Sequence, residues 1–164
     1  MGRIVSREEI VRLRNELRDQ GKLLVFTNGI FDLLHRGHLD LLNRAKNLGD
    51  VLVVGLNSDA SARRNKGQKR PIISQDDRAF MLCHLIPVDY VLIFEEDTPY
   101  ECIKEIKPDV LVKGADYAVH QIVGSDIVLG YGGKVVPVPL ARGKSSTQII
   151  NSIVEKFVLN LNKS

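Results

Sequence analysis

Gly29-Ile30-Phe31-Asp32-Leu33-Leu34-His35-Arg36-Gly37-His38 lies between an apolar run at residues 23–26 and an amphipathic segment at residues 39–48. An apolar run, a glycine-bounded turn and an amphipathic segment, in that order, read as strand, turn and helix. The turn sets two imidazoles and a glycine where a helix begins. Backbone N–H groups there lack intrahelical partners, and the helix dipole is positive. Such a turn suits an anion, phosphate above all.

Working outward, strands and helices alternate. Ser6 and Glu9 read as a capping box, Ile10, Leu13 and Leu17 follow at helical spacing, and Gly21 ends that helix. Residues 23–26 form a first buried strand, 37–48 a helix with Leu41, Leu42, Ala45 and Leu48 inward, and 51–56 a second strand. Residues 61–74 read as a mobile basic loop. A helix at 75–85, a third strand at Tyr90–Phe94, a helix at 98–106 and a fourth strand at 110–112 come next. A short helix at 122–129 precedes the fifth strand, Lys134–Val138. Ser145 and Gln148 again read as a capping box, and Ile149, Ile153, Phe157 and Leu161 mark a buried stripe on the last helix. Strands apolar on both faces and separated by helices predict a parallel sheet covered on both sides. Ligands of such sheets bind at the carboxyl ends of the strands, so Lys113, just past the fourth strand, is a candidate ligand.

The 164 residues suit one domain, with an N-terminal helix at about 6–20 and a core at about 22–160. A formal net charge of +3 fits an anionic small substrate; nucleic-acid binders interleave basic residues with aromatics, and this chain does not. Cys83 and Cys102 form no CxxC pair, which argues against a disulfide scaffold or zinc site and for a reducing cytoplasm. The polar N-terminus predicts no signal peptide, and apolar runs far short of the roughly 20 residues that span a bilayer predict no membrane partner.

Chemically, Gly37 lets a phosphate approach the backbone closely. A histidine at a helix N-terminus tends to stay neutral and still donates one N–H. The His35–His38 spacing is not that of HExxH, and no carboxylate cluster predicts a protein metal site. Gly143-Lys144-Ser145 imitates the end of a Walker A motif, but its first glycine would have to stand at Val138. A P-loop enzyme is therefore disfavoured.

Residues 29–38 resemble the GxFDxxHxGH signature of the cytidylyltransferase-like nucleotidyltransferases. The resemblance continues at Asn57-Ser58-Asp59, Lys66-Gly67, Arg78, Lys113-Gly114-Ala115-Asp116-Tyr117 and Ser145-Ser146-Thr147, and covers about residues 23–156. Within that superfamily the chain is most similar to the D-glycero-β-D-manno-heptose 1-phosphate adenylyltransferases of ADP-heptose synthesis. The resemblance implies a Rossmann-like α/β fold, a parallel five-stranded sheet with helices on both faces. It implies that His35, His38, Lys66 and Arg78 act on the triphosphate of ATP. Nucleotide binding would fall to Thr27, Asn28, Gly29, Phe31, Gly37, Lys113, Gly114, Asp116, Ser125, Ser145, Ser146 and Thr147, together with the two histidines. Asp32, Asn57, Asp59 and Lys66 would face the sugar 1-phosphate. Magnesium (Mg2+) would arrive with ATP, a homodimer or higher homo-oligomer would be the assembly, and a separate chain would supply the sugar kinase to which this domain is often fused.

Several residues keep a second reading. Arg63, Arg64, Lys66, Lys69 and Arg70 are either a solvated basic loop or a cover for the triphosphate. Arg78 is an exposed helix charge or a phosphate or dimer contact, and Asp116 a turn cap or a hydroxyl ligand. One alternative enzyme is a glycerol-3-phosphate cytidylyltransferase. That family usually carries Arg-Thr-Glu-Gly-Ile-Ser-Thr before its last helix, where this chain has Leu140-Ala141-Arg142-Gly143-Lys144-Ser145-Ser146. The other alternative is a nucleotide-binding module without turnover.

Overall fold

The computed structural model describes residues 1–114, 118–139 and 145–158; the expectations placed on Asp116, Arg142 and Leu161 lie outside them. Among the described residues six parallel strands form one sheet in the order β1-β4-β3-β2-β5-β6. They are β1 (Arg3–Ile4), β2 (Leu24–Gly29), β3 (Val51–Asn57), β4 (Tyr90–Phe94), β5 (Val110–Gly114) and β6 (Lys134–Val138). The helices are α1 (Arg7–Asp19), α2 (Arg36–Lys46), α3 (Asp59–Lys66), α4 (Gln75–Cys83), α5 (Tyr100–Ile106), α6 (Ser125–Gly130) and α7 (Ser146–Ile153).

The alternation of side chains along each strand divides the core in two. Val25, Leu52, Val54, Val91 and Val112 point to the face covered by α2 and α4, where Leu41, Leu42, Ala45, Ala79 and Leu82 meet them. Leu24, Phe26, Val53, Leu92 and Leu111 point to the other face, against Ile10 and Leu17 of α1, Cys102, Ile103 and Ile106 of α5 and Val128 of α6. Burying each such side chain contributes about 1.5–3 kcal/mol. The capping box read at Ser6 and Glu9 is made in both directions.

β3 shows how tightly the layers close. A Cβ on Gly55 would stand 2.6 Å from Cζ of Phe26, whose side chain is fully buried and has nowhere to move. Gly55→Ala is therefore expected to cost about 1–3 kcal/mol by overpacking. Urea unfolding checks this, and an unchanged midpoint would mean that the Phe26 ring can yield.

Three sequence expectations need correction. The sheet has six strands, not five: β1 is two exposed residues paired with Tyr90 and Val91, too short to show any periodicity. The basic stretch at 61–74 is not loop throughout, since α3 runs to Lys66. Ser58 starts that helix, with its side chain accepting from Ser61 N, and Gly67, at φ 92°, ends it. Finally, no residue of α7 is buried, and Ile153 and Phe157 are 48% and 67% exposed. The amphipathic pattern was real, but a stripe specifies an apolar face and not what covers it.

The order of strands reverses between β2 and β5: β3, β4 and β1 lie on one side of β2, while β5 and β6 lie on the other. A crevice opens outside the carboxyl ends of the strands at such a switch point.

Candidate functional site

β2 continues through Thr27 and Asn28 to Gly29, three residues beyond the predicted strand, so the turn proper starts at Ile30. Its shape follows from close packing. A Cβ on Gly29 would lie 3.0 Å from the ring of Phe31. Phe31 is buried and takes a left-handed φ of 47°, which costs a non-glycine residue about 1–2 kcal/mol. Asp32 is buried beside it. Its carboxylate pairs with Arg70 at 2.7 Å and accepts from the backbone N–H groups of Ile72 and Ile73 at 2.9 and 3.0 Å. The turn is thereby stitched to the segment that leads into α4.

His35 takes the N-cap position of α2 with extended backbone, and its carbonyl accepts from His38 N at 2.9 Å. That places the two imidazoles in a stack, with ring centroids 3.8 Å apart and planes 21° from parallel. The Phe31 ring lies 5.1 Å from that of His38. Burial, and then the neighbouring His35, push the pKa of His38 down to about 4. His38 is therefore neutral at pH 7 and carries one N–H to donate. Its Nδ1 is buried with no hydrogen-bond partner among the described residues.

These groups line a cleft of about 540 Å³ above the carboxyl ends of β2, β3, β4 and β5. From β2 and the turn come Asn28, Gly29, Ile30, Phe31, Asp32, His35 and His38. Asn57, Asn65 and Lys66 border it on the β3 and α3 side, with Asp97, Thr98 and Pro99 from the loop after β4. Lys113 and Gly114 of β5 and Ser145, Ser146 and Thr147 of the α7 N-terminus close the other side. Lys113 Nζ donates to the side-chain and backbone oxygens of Asn28 at 3.0 and 3.2 Å. Burial, and then the charge of Lys66, lower its pKa to about 8. Ser145 caps α7 by accepting from Gln148 N, and Ser146 Oγ donates to Leu33 O at 3.1 Å, which holds that N-terminus against the turn. Two helix N-termini, two imidazoles and two lysines thus converge on one space, an arrangement that favours a multiply charged anion.

Some predicted site residues do not reach this space. Arg78 is fully buried and absent from the cleft lining. Its Nη1 donates to Ile30 O and Asn57 O at 2.5 and 2.9 Å, its Nε to Ile73 O at 3.0 Å, and its Nη2 to Asp59 at 2.7 Å. A guanidinium so engaged clamps β3 to the turn; it is not an exposed helix charge, and it stands outside the cleft lining. Asp59 is turned to Arg78 and away from the cleft. Thr27, Gly37 and Ser125 are buried outside the lining. Arg64 is held by Asp97, while Arg63 and Lys69 are exposed.

Conversely, Leu41, Asn65, Asp97, Thr98, Pro99 and Val123 line the cleft although no sequence signal marks them as site residues, and of the basic stretch Arg70 lines it together with Lys66. Asp97 and Thr98 were within reach of sequence reasoning, because they follow β4 just as Lys113 belongs to the end of β5. The rule of carboxyl ends applies equally to both strands.

The family model described as Cytidylyltransferase-like matches residues 26–151. The bifunctional protein HldE of Syntrophotalea carbinolica is 51% identical over 154 residues, 90% of this chain and 31% of that protein. HldE of Nitratiruptor sp. is 55% identical over 143 residues, 87% of this chain and 30% of that protein. The chain thus spans about a third of the length of these curated relatives. Among solved structures, a lipopolysaccharide core biosynthesis protein from Thermoplasma volcanium superposes with a TM-score of 0.60 at 30% identity, over 76% of this chain and 100% of that one. The pantoate-β-alanine ligase of Francisella tularensis shares the fold at 20% identity, with a TM-score of 0.65 over 98% of this chain and 80% of that one.

Proposed function

The chain belongs to the cytidylyltransferase-like family, and we propose that it is a nucleotidyltransferase that joins ATP to D-glycero-β-D-manno-heptose 1-phosphate, giving ADP-heptose and pyrophosphate. The observation that carries this reading is the convergence of His35, His38, Lys66, Lys113 and the N-termini of α2 and α7 on one cleft. The HldE relatives support the heptose branch of the family.

In this reaction an oxygen of the sugar 1-phosphate forms a bond to the α-phosphorus of ATP. The bond from that phosphorus to the β-phosphate bridging oxygen breaks, and pyrophosphate leaves. The nucleophile is already an anion, so no general base is required. The obstacle is repulsion between two polyanions, and catalysis consists of holding them in line and stabilising the charge that shifts onto the leaving group. His38, neutral at pH 7, donates its one N–H to the phosphates, and His35 stands beside it to donate another. Lys66 and Lys113 flank them, and a charge-assisted hydrogen bond from either contributes roughly 1.5–3 kcal/mol. Ser145, Ser146 and Thr147 present the α7 N-terminus to the leaving phosphates. Arg78 and Asp32 act through position: one holds the carbonyl of Ile30, the other the backbone at 72–73, and so they set the turn.

Magnesium enters as part of the MgATP substrate. Mg2+ usually keeps waters and phosphate oxygens as ligands, and the carboxylate of Asp32 is already taken up by Arg70 and two backbone donors. Adenine would lie on the Lys113 and Gly114 side. A homodimer is part of the proposal, and the exposed apolar residues Ile153, at the end of α7, and Phe157, just after it, support it. Sedimentation velocity reads the assembly, and a monomer at high micromolar concentration contradicts it. A cytoplasmic setting is proposed as well, and two free buried cysteines agree with it. Among the described residues no helix is long and apolar enough to cross a membrane.

Pyrophosphate release, measured with ATP, CTP and GTP against heptose 1-phosphate and glycerol 3-phosphate, tests the assignment. ATP with heptose 1-phosphate should give the highest kcat/KM. A preference for CTP with glycerol 3-phosphate would transfer the chain to that branch, and binding without release would leave a nucleotide-binding module.

The lysine pair predicts a pH effect. Lys113 is cationic below a pKa of about 8 and loses its charge above it. ATP affinity in the free enzyme should therefore weaken as pH rises from 7 to 9, and Lys113→Gln should bind more weakly at pH 7 and lose most of that dependence. Isothermal titration at the two pH values checks this; equal slopes for both proteins would show that Lys113 does not meet the nucleotide.

A further inference from the structure

The cleft is chemically divided. Its cations and imidazoles come from the turn, Lys66 and β5, whereas Asn65, Asp97 and Thr98 bring oxygen-bearing side chains to another part of the lining. That part of the wall is built rather than loose. Asn65 Nδ2 donates to Asp97 O at 2.9 Å and to Ser61 O at 3.1 Å, which ties the loop after β4 to the last turn of α3. Both bonds use the amide nitrogen and leave the Asn65 side-chain oxygen out of them. Arg64 grips the same loop through one oxygen of the Asp97 carboxylate and through Glu95 O. The Asp97 side chain nevertheless stays 59% exposed, and its second oxygen is outside that pair.

Fixed acceptors of this kind repel a phosphate and attract hydroxyl donors. Lys66 adjoins Asn65 in sequence and lines the same side of the cleft. A sugar whose 1-phosphate is held by Lys66 has its ring within one glycosidic oxygen of that phosphate, and so beside this wall. We infer that Asp97, with Asn65 and Thr98, reads the hydroxyl groups of the sugar phosphate, and that Asp97 is a specificity-determining residue for a polyhydroxylated acceptor. This rests on the proposed function and adds to it the residues that choose the acceptor.

Steady-state kinetics of Asp97→Asn, with ATP and heptose 1-phosphate varied in turn, tests the inference. The variant keeps the shape of the side chain and loses its charge. The KM for heptose 1-phosphate should rise at least about ten-fold, the share expected of one charged hydrogen bond, while the KM for ATP stays within about two-fold. The ratio of kcat/KM for heptose 1-phosphate to that for glycerol 3-phosphate should fall alongside. Arg64→Gln frees the loop but retains the carboxylate, and it should raise the sugar KM by less than Asp97→Asn does. An unchanged sugar KM in Asp97→Asn, an equal rise in the ATP KM, or an Arg64→Gln effect as large as that of Asp97→Asn would each overturn the inference while leaving the proposed function in place. A wild-type chain that releases pyrophosphate with no polyhydroxylated phosphate would overturn the function and, with it, this role for the wall.

Discussion

Arg78→Met should destabilise the fold by about 3–5 kcal/mol, the usual consequence of removing one partner from a buried ionic network. Methionine fills a similar volume but cannot donate. Its introduction would strand the carbonyls of Ile30, Asn57 and Ile73 and leave the Asp59 carboxylate without its partner. For a chain of this length that corresponds to a fall in Tm of about 6–20 °C. The damage should be uneven, because Ile30 and Ile73 flank the turn and the α4 entry, so turnover should fall even at temperatures where the variant remains folded. Thermal unfolding followed by circular dichroism measures the first effect and pyrophosphate release the second. A Tm within about 2 °C of wild type would mean that water takes over these bonds and that the clamp is dispensable.

His38→Ala should have the opposite profile, with stability largely kept and kcat lowered between about ten-fold and about 10³-fold, as when a preorganised donor to developing charge is removed. The loss should appear in kcat more than in the KM for ATP, because the phosphate charge that His38 meets grows on the way to the transition state. His38→Gln retains an N–H donor and should recover part of the rate. The neutral state of the ring, with its pKa near 4, has a further consequence: between pH 5 and pH 7 the wild-type rate should carry no titration from His38. A folded His38→Ala protein with near-wild-type kcat would remove the imidazole from the mechanism.

The fold and most of the cleft were legible in the sequence because strong local patterns agreed with one another. Apolar strands between helices required a sheet buried on both faces, and the turn at 29–38 pointed to the switch point where Asn28, His35 and His38 indeed meet Lys113. What escaped reading depends on distance in the chain. Nothing local to Arg78 distinguishes a solvated helix arginine from one that reaches carbonyls 48, 21 and 5 residues away, because its partners are set by the sheet order. By its place in the sequence Asp32 reads as free to face a substrate, yet its carboxylate is bound by Arg70 and the backbone of Ile72 and Ile73, whose approach is a tertiary event. The stripe on α7 was read correctly as a pattern and wrongly as buried, since a pattern of apolar residues does not name the surface they meet. Asp97 and Thr98 were overlooked for a different reason: acidic and hydroxyl groups do not announce a phosphate site, although they stand at the end of a strand.

A crystal structure of the chain with a non-hydrolysable analogue of ATP tests most directly whether the paired imidazoles hold the triphosphate. Phosphate oxygens are expected within about 3.2 Å of a ring nitrogen of both His35 and His38, with the triphosphate running towards the N-terminus of α7 and the base on the Lys113 side. A triphosphate bound away from the turn, with the two imidazoles still stacked on each other and touching no phosphate, would contradict it.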